Sequence, residues 1–310
     1  MRANGKTLLL KAYFRHRDDT RDRLKREFNF LEYTWSCGIR NVPQPLYADY
    51  QRQLGVYEFV LGRGLVLDEI QPQHIEAAVE FYRWINDRKD GPQARKLASA
   101  SEACFSVAEH LEGVERRVQR LSKIKVVSKN DGAAARFVDH EIRSLWLRTR
   151  DEVAARYHRK GMFREALSPA TRCLSPSDFG YHNVLLEDSG TLCFVDFEYA
   201  GWDDPAKLVC DFANQPDMLL PEALSRRFQE AVVAADKAPE LLAERIVWLT
   251  PVYQLKWSCI ILNDFLPQGR DRARFVGCVD DEERSKKAQL EKSRRMLKRA
   301  EAALDEACRS

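Results

Sequence analysis

One stretch, residues 174–198, constrains this chain more than any other, because it predicts a hairpin that carries polar side chains at one end. Asp178 and Asn183 stand five residues apart in a short loop. This loop leads directly into the apolar run Val184 to Leu186, which has the composition of a β-strand.

A turn and a second strand complete the predicted hairpin. Residues 188–190, Asp-Ser-Gly, are typical of the tight connection between two antiparallel strands. The apolar run 192–195 then returns and ends at Asp196. The hairpin therefore brings Asp178, Asn183 and Asp196 to the same end.

These three side chains suit phosphoryl transfer. That reaction needs a carboxylate near the attacking hydroxyl, and a carboxylate with an amide oxygen to hold Mg²⁺ on the nucleotide phosphates. Asp and Asn are also common in surface turns, for purely conformational reasons. The spacing alone favours neither interpretation over the other.

The composition is that of an ordinary water-soluble protein. The chain has 310 residues, enough for one large domain or two smaller ones, with 31% charged and 45% hydrophobic residues. Its 50 basic and 47 acidic residues leave a formal net charge of +3, which is too weak to predict a nucleic-acid partner.

The cysteines and the lack of long apolar runs indicate a reducing compartment and no membrane partner. The eight cysteines are scattered, and no CxxC pair or Cys/His cluster is present. The first residues contain no signal-peptide block, and no run approaches the ~18 apolar residues of a membrane span. We therefore expect a cytoplasmic protein.

Near the N-terminus, a lysine lies inside an apolar strand. Lys11 is central in the β-like run 7–14, where an ammonium is costly unless it has anionic partners. The following helix, 18–35, carries Glu27 beside its apolar stripe, so Glu27 can face the lysine. Such a pair positions a nucleotide-binding lysine. The alternatives are a lysine that snorkels at a strand edge and a solvated glutamate.

A lobe boundary is predicted near residue 62. Two strands, at 46–50 and 55–61, run into the flexible joint Gly62-Arg-Gly64. This arrangement suits a hinge in which the backbone of Glu58, Phe59 and Val60 meets the edge of an adenine base. The alternative is an ordinary connection between a strand and a helix.

The rest of the chain is predicted to be mostly helical. Pro251 should kink or split the segment 239–266. Asp211, among apolar residues of a short helix, could brace the loop of Asp178 from below. The other predicted helices are 73–87, 101–121, 134–158, 206–214 and 280–308.

Together these features resemble the aminoglycoside phosphotransferase family, a branch of the protein-kinase-like fold that includes choline and homoserine kinases. The resemblance spans residue 5 to about residue 215. It rests on three motifs and on the positions of Lys11 and Glu27; the motifs are Asp178-Phe-Gly-Tyr-His-Asn183, Val195-Asp-Phe-Glu-Tyr-Ala-Gly-Trp202 and Asp204-Pro205.

The resemblance implies an α+β, two-lobe fold. A small β-rich lobe, 1–62, would bind the nucleotide, and a large helical lobe, 63–310, would carry the catalytic hairpin 174–198 and acceptor-binding helices over 217–310. Only ten residues precede Lys11, so we expect the first hairpin and its Gly-rich loop to be missing from the small lobe. Either the lobe is truncated at its N-terminus, or the true start codon lies further upstream, or the protein covers its nucleotide in another way.

The resemblance also implies cofactors and roles. ATP and Mg²⁺ would be the cofactors, with Asn183 and Asp196 binding the metal. Lys11, held by Glu27, would bind the α- and β-phosphates, and Asp178 would orient or deprotonate the hydroxyl. One departure lies two residues before Asp178, where the family has histidine and this chain has Pro176.

Three functions remain to be weighed. The first is phosphoryl transfer to a hydroxyl of a small molecule, neutral or anionic because the C-terminal half carries Lys256 and many arginines. The second is a catalytically impaired nucleotide-binding pseudokinase or scaffold protein. The third, a kinase that acts on proteins, is disfavoured by the short segment between Asp196 and Asp204.

Overall fold

The computed structural model describes residues 2–3, 6–14, 21–267 and 282–310. They form a mixed α+β structure, as predicted, that divides into two compact units. Unit 1 comprises Met1–Ala103 and Ser168–Pro239, and unit 2 comprises Cys104–Leu167 and Glu240–Ser310. The described part of the chain contains no helix that combines the length and the apolar character needed to cross a membrane.

Unit 1 contains an antiparallel sheet in the order β1-β2-β4-β3. In this sheet Lys11 on β2 lies opposite Gly55 on β4. The strands are β1 (Arg2–Ala3), β2 (Lys6–Ala12), β3 (Pro45–Asp49) and β4 (Leu54–Glu58). β4 therefore ends three residues earlier than predicted.

Helix α1 (Arg23–Ser36) packs beside this sheet. It begins where the Asp22 side chain accepts a hydrogen bond from the Lys25 N–H at 3.1 Å, a capping contact that satisfies one free donor of the first turn. Part of the segment predicted as helix, residues 18–20, lies outside the described residues. The helix carries Glu27 on its buried side.

Gly55 is required by a close approach within the sheet. A Cβ at this position would lie 2.5 Å from the ring of Tyr57, a distance that real Cβ atoms do not reach. Because Tyr57 is 2% exposed, its ring has little room to move away. Gly55 therefore fixes where the Tyr57 hydroxyl lies.

The predicted hairpin is present. It consists of β7 (Val184–Leu186) and β8 (Leu192–Phe194), which pair antiparallel. β5 (Arg63–Gly64) adds a third strand, with Arg63 opposite Leu186. The prediction of a flexible joint at residues 62–64 was therefore wrong for Arg63 and Gly64, since pairing with β7 outweighs the freedom of the glycines.

A second small ladder flanks the loop of Asp178. β6 (Cys173–Ser175), just before the loop, pairs with β9 (Gly201–Asp203). The side-chain amide of Asn86 binds both backbone groups of Leu174, accepting from N–H at 2.8 Å and donating to C=O at 3.0 Å. Asn86 thus holds β6 against the helix on which it lies, α2 (Pro72–Asp87).

An aromatic core supports the hairpin from within unit 1. The ring of Phe81 stacks on Phe194 of β8 at 4.6 Å, and Phe179 lies 5.4 Å from the same ring. Phe212 stacks on Phe228 at 3.9 Å. These last two residues belong to α6 (Pro205–Asn214) and α7 (Glu222–Ala234).

Unit 2 is helical in its described part. α8 (Pro239–Ile261) starts at the last residue of unit 1 and runs through Pro251 without splitting, because buried neighbours such as Leu249 and Val252 outweigh the lost backbone hydrogen bond. The predicted helix 134–158 starts earlier, at a capping box on Ser128. The others are α3 (Val107–Leu121), α4 (Lys129–Phe137), a π-helical turn (Val138–Ile142), α5 (Arg143–Arg159) and α9 (Glu282–Arg309).

Candidate active site

Lys11 contacts Glu27, the residue expected to face it, and also Asp196. Its Nζ atom lies 2.7 Å from Glu27 Oε2 and 2.7 Å from Asp196 Oδ1. The three residues come from β2, from α1 and from the segment after β8. Strand, helix and hairpin of unit 1 therefore meet at one ammonium group.

Glu27 is buried and receives three hydrogen bonds. Lys11 Nζ and the Tyr13 hydroxyl donate to Oε2, the latter at 2.5 Å, and the Phe197 N–H donates to Oε1 at 3.3 Å. Burial raises the pKa of Glu27, and the Lys11 charge opposes that rise without cancelling it. The three donors stabilise a carboxylate that is 4% exposed.

The charge of Lys11 is stabilised by the same contacts. Burial alone would lower the pKa of Lys11, but the carboxylates of Glu27 and Asp196 more than offset it and raise the pKa above its ordinary value. Lys11 is therefore an ammonium ion at neutral pH, held in a fixed position.

Two tyrosines extend this network, and the sequence did not reveal them. The Tyr13 hydroxyl lies 2.6 Å from the Tyr57 hydroxyl as well as beside Glu27. Tyr13 follows Lys11 by two residues, just past the end of β2, so the alternation of the strand predicts both side chains on the same side of the backbone. That period was the available signal for Tyr13, whereas the contact with Tyr57 depends on the register of β2 against β4.

The loop from Asp178 to Asn183 is tied to the hairpin. Asn183 Nδ2 donates to the backbone oxygen of Asp178 at 3.0 Å, and the Val195 N–H donates to the backbone oxygen of Asn183 at 3.0 Å. Asp196 directly follows Val195. Because of these bonds Asn183 and Asp196 lie on paired, adjacent segments.

Two residues of this region adopt positive φ angles without being glycine. Ser177 has φ of 71° and Asp196 has φ of 65°. This left-handed conformation is uncommon for non-glycine residues and is often found at functional sites. At both residues the left-handed backbone changes the direction of the chain, directly before Asp178 and after the hairpin that follows Asn183.

The Asp178 carboxylate contacts two side chains that sequence reasoning missed. Gln215 Nε2 donates to Asp178 Oδ1 at 3.1 Å, and His182 Nε2 lies 3.3 Å from the same oxygen. The two nitrogens are 3.1 Å from each other. The Asp178 side chain remains 34% exposed.

The acidic residues after the hairpin form a separate cluster. Lys207 Nζ lies 2.5 Å from Asp203 Oδ2 and 3.7 Å from Asp211 Oδ2, and all three side chains are almost fully buried. The Asp204 side chain caps α6 by accepting from the Ala206 N–H at 2.8 Å. That Asp211 braces the loop of Asp178 stays a prediction.

The residues predicted to meet an adenine base follow the end of β4. The Glu58 N–H donates to the backbone oxygen of Gln44 at 2.9 Å, so this group is already engaged. Phe59 is 47% exposed and Val60 is half-buried. Their role in binding a base stays a prediction.

The side-chain oxygens of Asn183 and Asp196 are of the type that Mg²⁺ binds. Since Asn183 uses its amide nitrogen on the Asp178 backbone, its amide oxygen is the atom left to act as a ligand. Mg²⁺ prefers oxygen ligands and commonly takes one or two carboxylates, with phosphates and water completing its shell. The described residues hold no cluster of three or more His, Cys, Asp or Glu side chains suited to a metal, and such a site needs none.

Solved structures similar to this chain are kinases that act on small molecules. The choline kinase LicA from Streptococcus pneumoniae has a TM-score of 0.57 at 14% identity, covering 96% of this chain and 88% of the other. A spectinomycin phosphotransferase has a TM-score of 0.61 at 11% identity, covering 97% and 87%. An ethanolamine kinase from Plasmodium vivax has a TM-score of 0.57 at 14% identity, covering 93% and 76%. At these identities the likeness shows the fold, which is protein-kinase-like as predicted.

The family follows from the sequence itself. A comparison with curated proteins found none that matches. The sequence pattern of the phosphotransferase enzyme family, however, matches residues 2–246, most of the chain. This confirms the resemblance drawn from the motifs around Asp178 and Asp196, and the chain belongs to the phosphotransferase enzyme family.

Proposed function

We propose that this protein transfers the γ-phosphate of ATP, with Mg²⁺, to a hydroxyl group of a small molecule. The observation that carries the proposal is the pair of 2.7 Å contacts from Lys11 to Glu27 and Asp196, beside a loop that carries Asp178 and Asn183. A related spectinomycin phosphotransferase was crystallised with ADP, and the choline kinase LicA with AMP, which supports a nucleotide as ligand.

Lys11 would bind the α- and β-phosphates. Its ammonium is charged and held on one side by Glu27, so phosphate oxygens can replace the Asp196 carboxylate without leaving Lys11 unsupported. The base would lie against Glu58, Phe59 and Val60 at the end of β4. Positioning of this kind, more than covalent chemistry, accelerates phosphoryl transfer.

Asn183 and Asp196 would hold Mg²⁺ through their side-chain oxygens. When bound, the ion would neutralise charge on the phosphates as the γ-phosphoryl group leaves. Asp178, whose carboxylate is partly exposed, would orient the acceptor hydroxyl and accept its proton.

The proposal assigns nucleotide binding and acceptor binding to different parts of the chain. Residues 1–62 would form the nucleotide-binding lobe and residues 63–310 the helical lobe, with the acceptor bound by helices within 217–310. The acceptor would be neutral or anionic, because the C-terminal half is rich in lysine and arginine.

A thermal-shift experiment tests the proposal. The wild-type protein is heated with ATP, with and without Mg²⁺, beside Asp196→Asn and the control Asp188→Asn, whose side chain is exposed in the hairpin turn. ATP at about 100 times its Kd adds about 2.7 kcal/mol of stability. We expect a metal-dependent shift in the wild type and in the control, and its loss in Asp196→Asn.

Two results would count against the proposal. The absence of any response to ATP in the wild type would contradict nucleotide binding. A response without ADP release, across a screen of small hydroxyl compounds, would favour the alternative of a nucleotide-binding pseudokinase or scaffold.

A further inference from the structure

Two side chains meet at one oxygen of the Asp178 carboxylate. Gln215 Nε2 and His182 Nε2 lie 3.1 Å and 3.3 Å from Asp178 Oδ1, and 3.1 Å from each other. His182 belongs to the same loop as Asp178, whereas Gln215 directly follows α6. Two separate segments of unit 1 thus reach the carboxylate that the proposed function places at the acceptor hydroxyl.

Gln215 can act only as a donor toward Asp178. Its Oε1 atom accepts the N–H of Asp217 at 3.0 Å, which fixes the orientation of the amide and turns the NH₂ group toward Asp178 and His182. Gln215 is 4% exposed, so water does not compete for this amide. The contact with Oδ1 is therefore a buried hydrogen bond of defined direction.

The two ring nitrogens of His182 lie in different surroundings. Its Nδ1 atom is buried and has no hydrogen-bond partner among the described residues. That nitrogen packs on Gly180, where an added Cβ would lie 2.9 Å from it. Gln215 Nε2 lies 3.1 Å from His182 Nε2 and, as an NH₂ group, can only donate, so His182 Nε2 is the acceptor of this bond and we assign the ring proton to Nδ1.

On the N-terminal side of Asp178, the described loop is held through backbone groups. Residue 176 is proline, whose backbone oxygen accepts the Asp178 N–H at 3.1 Å. The Ser175 hydroxyl is engaged with the Ser177 N–H at 3.0 Å. Support for the carboxylate side chain therefore comes from the C-terminal side of the loop.

We propose that Gln215 and His182 are positioning residues for Asp178. Gln215 donates to Oδ1, and His182 Nε2 accepts from the same amide group and fixes its direction, so the carboxylate is held toward the acceptor hydroxyl. This inference rests on the proposed function, in which Asp178 handles that hydroxyl. It assigns the two residues to catalytic geometry and leaves nucleotide binding to the contacts of Lys11. Their loss should lower kcat and leave the KM for ATP unchanged.

The test compares four variants of the full chain by ADP release from Mg·ATP with water as acceptor. Gln215→Leu removes the donor to Asp178, and His182→Leu removes the acceptor that holds the Gln215 amide, whereas His182→Gln restores an acceptor oxygen. His140→Leu is the control, because His140 is exposed on the π-helical turn. We expect kcat to fall ~10- to 100-fold in the two leucine variants, with KM for ATP within about twofold, and to recover in His182→Gln.

A second readout does not depend on turnover. Long-range ¹H–¹⁵N spectra of ¹⁵N-histidine protein report which ring nitrogen of His182 carries the proton, with the signal assigned from His182→Gln. We expect the Nδ1–H tautomer, with Nε2 as the acceptor. Protonation on Nε2 would overturn the inference, as would leucine variants that keep the wild-type kcat or lose kcat and ATP stabilisation together.

The two proposals can fail separately. A wild-type protein that neither responds to ATP nor releases ADP contradicts the proposed function, and the tautomer then decides whether His182 accepts from Gln215. A wild-type protein that turns over normally beside fully active leucine variants contradicts only the positioning role.

Discussion

Glu27 and Asp178 are both carboxylates of unit 1, and their surroundings are opposite. The Glu27 side chain is 5% exposed and receives donors on both oxygens from Lys11, Tyr13 and Phe197. The Asp178 side chain is 34% exposed, and Gln215 and His182 contact a single oxygen. A carboxylate that only organises its neighbours can be buried and fully bonded, whereas one that meets a substrate must keep a face open.

This comparison predicts different costs for mutation. Removing a buried, multiply bonded carboxylate leaves its donors without partners in a site that water does not reach. An Asp178→Asn exchange keeps a side-chain oxygen that can still accept from Gln215, so this donor does not lose its partner. Stability should therefore be sensitive at Glu27, and turnover should be sensitive at Asp178.

The largest effect on stability is expected for Glu27→Ala. The substitution removes the acceptor of the Lys11 ammonium, the Tyr13 hydroxyl and the Phe197 N–H. The free energy of unfolding should therefore fall by about 3–5 kcal/mol. Urea unfolding measures this, with Glu32→Ala, an exposed position on the same helix, as control. For Asp178→Asn we expect a free energy of unfolding within about 1 kcal/mol of wild type. A loss as large as that of Glu27→Ala would contradict the difference between the two carboxylates.

The next effect concerns the strand before the Asp178 loop. Asn86→Ala removes two hydrogen bonds to the backbone of Leu174, a fully buried residue, and should lower the free energy of unfolding by about 2–3 kcal/mol. It should also lower turnover, because β6 sets where the loop starts. Arg83→Ala, at an exposed position on the same helix, is the matched control. An Asn86→Ala variant with wild-type stability would contradict the role of Asn86 in holding β6.

A smaller effect is expected for Tyr13→Phe. The substitution keeps the ring and removes only the hydroxyl between Glu27 and Tyr57, so the free energy of unfolding should fall by about 1–2 kcal/mol. Affinity for ATP, followed by thermal shift, should weaken slightly because Glu27 loses one donor. Tyr50→Phe, at an exposed tyrosine, should change neither quantity.

The smallest effect is a pH dependence. Burial raises the pKa of Glu27 above its ordinary 4.5, so the stability due to this group is complete below that value and is lost as pH rises through the folded-state pKa. The difference in unfolding free energy between wild type and Glu27→Gln should therefore narrow as pH increases. Urea unfolding from about pH 4 to about pH 8 measures it, and a difference that widens with pH would contradict the sign.

Local patterns predicted the elements that carry the site. The hairpin followed from a turn signal between two short apolar runs, and Lys11 and Glu27 followed from the periods of one strand and one helix. These signals lie within about twenty residues of the side chains that they position. The α+β class and the protein-kinase-like fold were predicted from the resemblance of the motifs to a known family.

The features that were missed depend on contacts between distant segments. Gln215 reaches Asp178 across 37 residues, and Tyr13 reaches Tyr57 across 44, through loop ends and strand register that no local pattern encodes. Arg63 and Gly64 look like a flexible joint until β7 pairs with them from more than a hundred residues away. Helix boundaries shifted for a simpler reason, since capping at Asp22, Ser106 and Ser128 sets the first turn.

The left-handed backbone of Asp196 limits which amino acids can replace it in evolution. Aspartate and asparagine adopt a φ of 65° more readily than most other residues, so alanine or a β-branched residue there would carry a conformational cost. An exchange of Asp196 for asparagine would remove the carboxylate and leave the chain trace intact. A gene copy that has lost catalysis in this way would keep its fold, so retained architecture among relatives is poor evidence of retained activity, and the residue at this one position is a better guide.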